Sequence, residues 1–239
     1  MKNLILILII AFAAVQSQGN TEPQQESKTV IAFSGLKLRT APNMDSKVLK
    51  VIPFAEKLIV ESYDSTLLSI EWLEGRWAKV SYEGRKGYVF DAFLTSLPIP
   101  FNDYELSAGD GDLSYTLLSW LENNYRLTAK ADTVEYNNHI KTVQQHAGGI
   151  TASIKESPHA FQIRVELPDI RVGDAYNLLK SMLKTKSERE RFENSALFIS
   201  EPDGSIDQIK IETEAPVEIR KTNSGVEIVV TSYQHICGL

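Results

Sequence analysis

Cys237 is the single cysteine of the 239-residue chain, and His235 stands two residues before it. A thiol becomes a nucleophile when a neighbouring imidazole takes its proton. On a strand, residues two apart point to the same face, so the pair has the right types. Its position argues against catalysis. It follows the last strand pattern and is third from the end of the sequence, whereas a reactive site needs a rigid surrounding shell. The four histidines are His139, His146, His159 and His235. They show no HExxH-type spacing that would converge on zinc. Asp110–Gly111–Asp112 invites a calcium reading, but the further oxygen ligands and the closing glutamate of an EF-hand loop are missing. One of those aspartates is expected to cap the following helix instead. Residues 98–239 carry 21 acids, too many to single out a pair for sugar cleavage. No serine elbow and no phosphate-binding glycine loop occurs. The expectation is a protein without cofactor or metal, leaning away from catalysis.

Aromatic side chains offer binding chemistry instead. Tyr63, Trp72, Trp77, Tyr82 and Tyr88 cluster in a short span. Small folds need large side chains for their cores, so Trp77 and Tyr88 read first as scaffold. Trp72 sits beside Glu71 and Glu74 in a polar stretch, where an aromatic is better placed to meet a ligand. The binding candidates are therefore Trp72, Tyr63, Trp77 and Tyr88, Trp72 foremost.

The elements that hold them are short strands. Val30 and Ala32, then Leu36 and Leu38, alternate with polar or small neighbours. Residues 41–46 form a turn around Pro42. Strands are expected at Val48–Ile52, Lys57–Tyr63, Trp77–Tyr82 and Arg85–Phe90, the last two joined by a tight turn at Glu83–Gly84. Residues 91–94 read as one helical turn. Five such strands are expected to close into a small barrel, because closure removes exposed strand edges.

The run GLKLRTAPN, then SKVLKVIP, KLIV and GRWAKVSYEGRKGYVFDAFL, closely resembles bacterial SH3-like domains. The residues that carry the likeness include Leu36, Leu38, Arg39, Pro42, Gly75, Trp77, Val80, Gly87, Tyr88 and Val89. Two departures stand out. Phe54–Ala55–Glu56 replaces a turn that usually holds a glycine, and Leu36–Lys37–Leu38–Arg39 replaces the usual Asn-Val-Arg strand. The resemblance implies a module of cell-envelope or cell-wall proteins that tethers its neighbour to peptidoglycan or to another protein.

After a Pro98–Pro100 junction (residues 98–111), residues 112–239 read as an α+β domain on a mainly antiparallel sheet with two helices. The first helix spans Asp112–Leu127, with Leu113, Leu117, Trp120 and Leu121 on one face. The second spans about Val172–Lys186, with Ala175, Leu178, Leu179, Met182 and Leu183 buried. Two strands flank Gly148–Gly149, and residues 161–167 alternate strictly. Four more strands follow, at 196–199, 206–211, 217–221 and 226–231, with hairpin turns at 202–204 and 223–225. Glu188–Arg191 reads as a solvated segment of alternating charge.

The first residues bound the compartment. Lys2 precedes an apolar run from Leu4 to Val15, too short for a membrane span and the length of a signal-peptide core. Cleavage is expected after Ser17, leaving residues 18–27 as a flexible tether and residues 28–97 as the SH3-like domain. No cysteine near the cut offers a lipid anchor, and the mature chain is expected to have no integral membrane segment and to lie in the periplasm or outside the cell. Residues 28–97 carry ten basic against eight acidic groups; residues 98–239 carry 14 against 21, a net charge of −7. No clustered basic face is present for nucleic acid. The function expected is a non-catalytic, exported binding protein of the bacterial envelope, recognising peptidoglycan or an envelope protein. The alternatives are a cell-wall hydrolase with a catalytic second domain, and an inhibitor or assembly partner of an envelope protein.

Overall fold

The computed structural model describes residues 26–100, 112–134 and 139–233. The proposed signal segment, Asp110, His235 and Cys237 lie outside the described residues.

The first half is built from nine strands: β1 (Glu26–Val30), β2 (Leu36–Arg39), β3 (Val48–Ile52), β4 (Lys57–Tyr63), β5 (Leu68–Ile70), β6 (Leu73–Gly75), β7 (Trp77–Tyr82), β8 (Arg85–Phe90) and β9 (Leu94–Thr95). A 3-10 turn, Asp91–Phe93, joins β8 to β9. Seven strands form one antiparallel sheet in the order β3-β2-β8-β7-β4-β1-β9. The expected closed barrel is corrected here: the sheet is open, with β3 and β9 as unpaired edges. Strand β9 has only two residues, and both are taken up by β1 at Thr29↔Thr95 and Val30↔Leu94. At two residues it is too short to build a ladder across to β3, and no β3–β9 pairing closes the sheet. The concave face is still filled, by Val30, Leu38, Ile52, Leu58, Val80 and Val89 among others, each at most 1% exposed. Ala55 takes φ 68° at the turn where related domains carry glycine.

Strands β5 and β6 form a separate hairpin within what reads in sequence as a polar loop. Its turn residues, Glu71 and Trp72, both have positive φ, 52° and 66°. A two-residue turn of that kind ordinarily announces itself with Asn-Gly; here nothing in the sequence marks it.

The second half adds α1 (Leu113–Asn124), β10 (Leu127–Val134), β11 (Ile140–His146), β12 (Thr151–Glu156), β13 (Ala160–Pro168), α2 (Val172–Ser181), α3 (Lys186–Asn194), β14 (Ala196–Ser200), β15 (Ile206–Ile211), β16 (Val217–Lys221) and β17 (Gly225–Tyr233). Its antiparallel sheet runs β10-β11-β12-β13-β17-β16-β15-β14. The order is symmetric about the β13–β17 pair. Each side is a helical segment followed by a four-strand meander, and the two opening helices share a motif, Tyr115-x-Leu117-Leu118 against Tyr176-x-Leu178-Leu179. The helix-covered face buries Ile163, Ile209, Ile219, Ile228 and Val230; the opposite face carries pairs such as Arg164–Glu227. Strand β10 gave no apolar alternation because it is an edge strand whose residues 127–133 are all exposed.

Asp112 caps α1 as expected, accepting from the Ser114 amide at 2.8 Å. The long second helix is corrected to two. Helix α2 stops at Ser181, and Thr185 turns out to extended angles (φ −98°, ψ 155°) to cap α3. The Glu188 amide donates to Thr185 Oγ1 at 3.1 Å, and the Thr185 amide donates to Glu188 Oε2 at 2.7 Å. This reciprocal box satisfies amides the helix cannot reach. The charged Glu188–Arg191 run is thus the outer face of a helix held down by the buried Phe192.

The cap sets a pH dependence. The Thr185 backbone bond, above all, holds the Glu188 carboxyl below the usual glutamate range. A lowered folded pKa contributes stability that is full above the unfolded value of about 4.3 and is lost as pH falls through the folded value. The protection of the Thr185 and Glu188 amides, measured as the observed exchange rate relative to the intrinsic rate at each pH, is therefore expected to fall as pH is lowered through that window. Glu188→Gln is expected to remove the acid dependence.

One hydrophobic core spans both halves, joining Leu73, Trp77, Phe90 and Leu97 to Leu117, Trp120, Leu179 and the second sheet. Among the described residues no helix is long and apolar enough to cross a membrane.

Candidate binding site

Two clefts flank the first half. The first opens beside the start of β2 and is a cavity of about 160 Å³. Trp77 and Phe90, paired across β7–β8, meet edge to face at 5.9 Å and form its floor with Phe93. Leu36, Ile70 and Met44 add apolar wall, while Lys37 and Glu71 stand at the rim. Arg39 also lines it, although only 7% of the residue is exposed.

Arg39 is seated by backbone packing. It pairs with Tyr88 across β2–β8, and that approach depends on Gly87: a Cβ there would stand 2.6 Å from the Arg39 carbonyl oxygen. The guanidinium Nη1 donates to the Ser46 carbonyl at 2.9 Å, which ties down the 41–46 turn. No carboxylate among the described residues pairs with it. Fully buried side-chain nitrogens and oxygens among these residues all have hydrogen-bond partners, so the donors of Arg39 without one retain access to solvent. A guanidinium has five donors and keeps its charge at any ordinary pH. Because those donors keep contact with water, leaving the charge without a counter-ion costs far less than it would for a fully buried ion.

The second cleft, of about 300 Å³, lies between the halves and is lined by Lys28, Tyr63, Arg76, Asp91, Asp169 and Arg171 among others. Its wall is a closed ionic network. Asp91 accepts from the Arg76 amide at 2.6 Å and from Arg171 Nη1 at 3.2 Å; Arg171 also bonds Asp174 at 2.9 Å. Burial works against the Arg171 cation, but its bonds to Asp174 and Asp91 outweigh burial and raise its pKa above the ordinary guanidinium value. Asn177 completes the seam by donating to the Ala92 carbonyl at 2.9 Å. Tyr63 donates to Glu26 at 2.9 Å; burial, then that bond, pushes its phenol up.

The four aromatics picked from sequence are not gathered in one place. Trp77 is buried in the floor of the first cleft, and Tyr88 is half-buried beside Arg39. Tyr63 borders the second cleft. Trp72 is 69% exposed at the tip of the β5–β6 hairpin, its ring stacked on Phe198 at 6.5 Å. Trp72→Ala is expected to change unfolding free energy by about 0.5 kcal/mol or less, checked by urea denaturation, which leaves it usable as a surface probe. Sequence reasoning placed Arg39 in the strand pattern and missed its place in the cavity. The only signal was a cation closing an apolar strand.

Among the described residues no three metal-ligating side chains gather. His139 and His159 are exposed. His146 is buried, with its ring nitrogens 2.9 Å from the Tyr125 carbonyl and 3.0 Å from Gln144 Oε1.

The family model of the bacterial SH3 domain matches residues 34–95. This stretch is a bacterial SH3 domain. The family is a class of binding modules frequent in cell-wall proteins. No curated protein and no solved structure matches the chain, and the second half has no family match. The match begins after β1, so the sheet around the SH3 domain recruits a strand from outside it: β1 pairs with both β4 and β9.

Proposed function

We propose that the protein is an exported binding protein of the bacterial cell envelope, and that its SH3 domain recognises peptidoglycan or an envelope protein. The observation that carries this reading is the open aromatic cleft on a domain whose family consists of binding modules. In this reading residues 1–17 are a signal peptide, 18–27 a tether, 28–97 the SH3 unit, 98–111 a linker, and 112–239 a second interaction surface. The Asp91–Arg171 seam holds that surface at a fixed orientation to the cleft. Trp72 is the exposed aromatic we assign to ligand contact. Tyr63 borders the neighbouring cleft, Trp77 forms the floor, and Tyr88 stands beside Arg39 across β2–β8.

The test is retention. Protein lacking residues 1–17 is mixed with purified sacculi and, separately, with envelope extract. Retention by either, weakened several-fold by Trp72→Ala, is the expected result. If neither retains the protein, the binding reading fails. Release of soluble muropeptides from the sacculi would replace it with the hydrolase reading.

A further inference from the structure

We infer that the Arg39 cleft is an anion site for a carboxylate carried on a small apolar residue, as at the C-terminus of a peptide. This deepens the binding reading above and rests on it for the identity of the cleft.

Three observations converge. The first is charge. Arg39 is more than nine-tenths buried and lines the cavity, yet among the described residues its side chain has one partner, the neutral Ser46 carbonyl. Buried cations are ordinarily paired with an anion. Even Arg171, whose side chain is 40% exposed, is bonded to two carboxylates, Asp91 and Asp174. Arg39 therefore lacks a negative partner that a ligand is able to supply, and a planar guanidinium suits a carboxylate's two oxygens. Lys37 at the rim adds a second positive group, against the single acid Glu71.

The second is size. A cavity of roughly 150 Å³ takes a benzene-sized group, and this one is about 160 Å³. The enclosed space matches one small residue. The third is the lining. Trp77, Phe90, Phe93 and Ile70 present apolar surface to the same cavity as the cation. Methyl-sized groups rest against such a wall, while a strongly hydrated ion such as free phosphate gains nothing from it.

The carboxylate can come from a peptidoglycan stem peptide or from a protein C-terminus; the two differ in the handedness of the terminal residues. The probes are N-acetyl-D-Ala-D-Ala, N-acetyl-L-Ala-L-Ala and the C-terminal amide of each. They are titrated into protein lacking residues 1–17 and followed by amide and indole NMR shifts of the cleft. The expected result is that at least one acid binds tenfold or more tightly than its amide, with shifts at Trp77 and Arg39. A D,D preference assigns the ligand to peptidoglycan and an L,L preference to a protein. Arg39→Gln is expected to abolish the acid-over-amide difference, and Arg39→Lys to retain part of it. The acid and amide comparison uses the unaltered protein, so it stands even if Arg39→Gln misfolds. Equal affinity for acid and amide, or no shift from any probe, overturns the proposal. If sacculi or extract still retain the protein in that case, the binding reading survives and only the anchor is lost.

Discussion

Trp120→Ala is expected to lower the unfolding free energy by about 4 kcal/mol, the range found when a large buried aromatic is truncated. Trp120 is 1% exposed, and its indole N–H donates to the Pro98 carbonyl at 2.8 Å. Its ring also meets Tyr125 edge to face at 5.5 Å. The indole thus fills the base of α1 and fastens the junction that follows the SH3 domain. Trp120→Phe keeps most of the apolar volume but leaves the Pro98 carbonyl without its donor, so a loss of about 2 kcal/mol is expected. Urea denaturation measures both. Because one core includes Trp77 and Trp120 alike, fluorescence and far-ultraviolet dichroism are expected to report a single transition. Two transitions, with the SH3 domain melting separately, would show that the shared core does not couple the halves.

The second large effect is expected at Asp91. The carboxylate is 8% exposed for the residue and serves both halves at once, accepting from the Arg76 amide and from Arg171. Asp91→Ala leaves a backbone N–H unpaired and removes one of the two acids that balance Arg171. The Arg171 side chain is 40% exposed, so water softens the electrostatic part. The sum is about 2–3 kcal/mol, mainly from the orphaned amide. Asp91→Asn keeps an acceptor for the Arg76 amide and is expected to cost about 1 kcal/mol. A double-mutant cycle with Arg171→Ala isolates the pair. A coupling near zero would reduce the seam to packing alone. Gly75 belongs to the same feature: a Cβ there would stand 2.6 Å from Asp91 Oδ1, so the glycine keeps room for the carboxylate.

Strands whose side chains alternate between core and solvent were legible. Strands β3, β4, β7, β8 and β13 to β17 fall where their apolar residues and flanking turns place them; alternation is clearest in β4, β7 and β13, which each bury one face, whereas β14 buries none of its residues. The hairpin turns at Glu83–Gly84 and 223–225 were marked by their residues. What escaped has a separate local cause in each case. Strand β10 is exposed over residues 127–133, which have no buried face to impose a pattern. The β5–β6 turn uses Glu71 and Trp72 at positive φ, which local preference disfavours. The break between α2 and α3 lies inside a stretch of helix-forming residues, and only the Thr185–Glu188 spacing records it.

The candidate site divides in the same way. Its aromatic residues were visible as types, but their distribution over separate clefts depends on which strand face each occupies and on how the sheet curls. By itself the sequence determined the SH3 domain, because Leu36, Arg39, Trp77, Gly87 and Tyr88 interact through neighbouring strands joined by short turns. The tertiary structure alone decided that the sheet stays open, since that depends on whether its end strands β3 and β9, far apart in sequence, meet in space, and they do not. It alone decided that the halves share a core, since Asp91 and Arg171 lie 80 residues apart. And it alone left Arg39 without an anion among the described residues, because a missing partner is a property of everything that packs around a residue and of no single position in the chain.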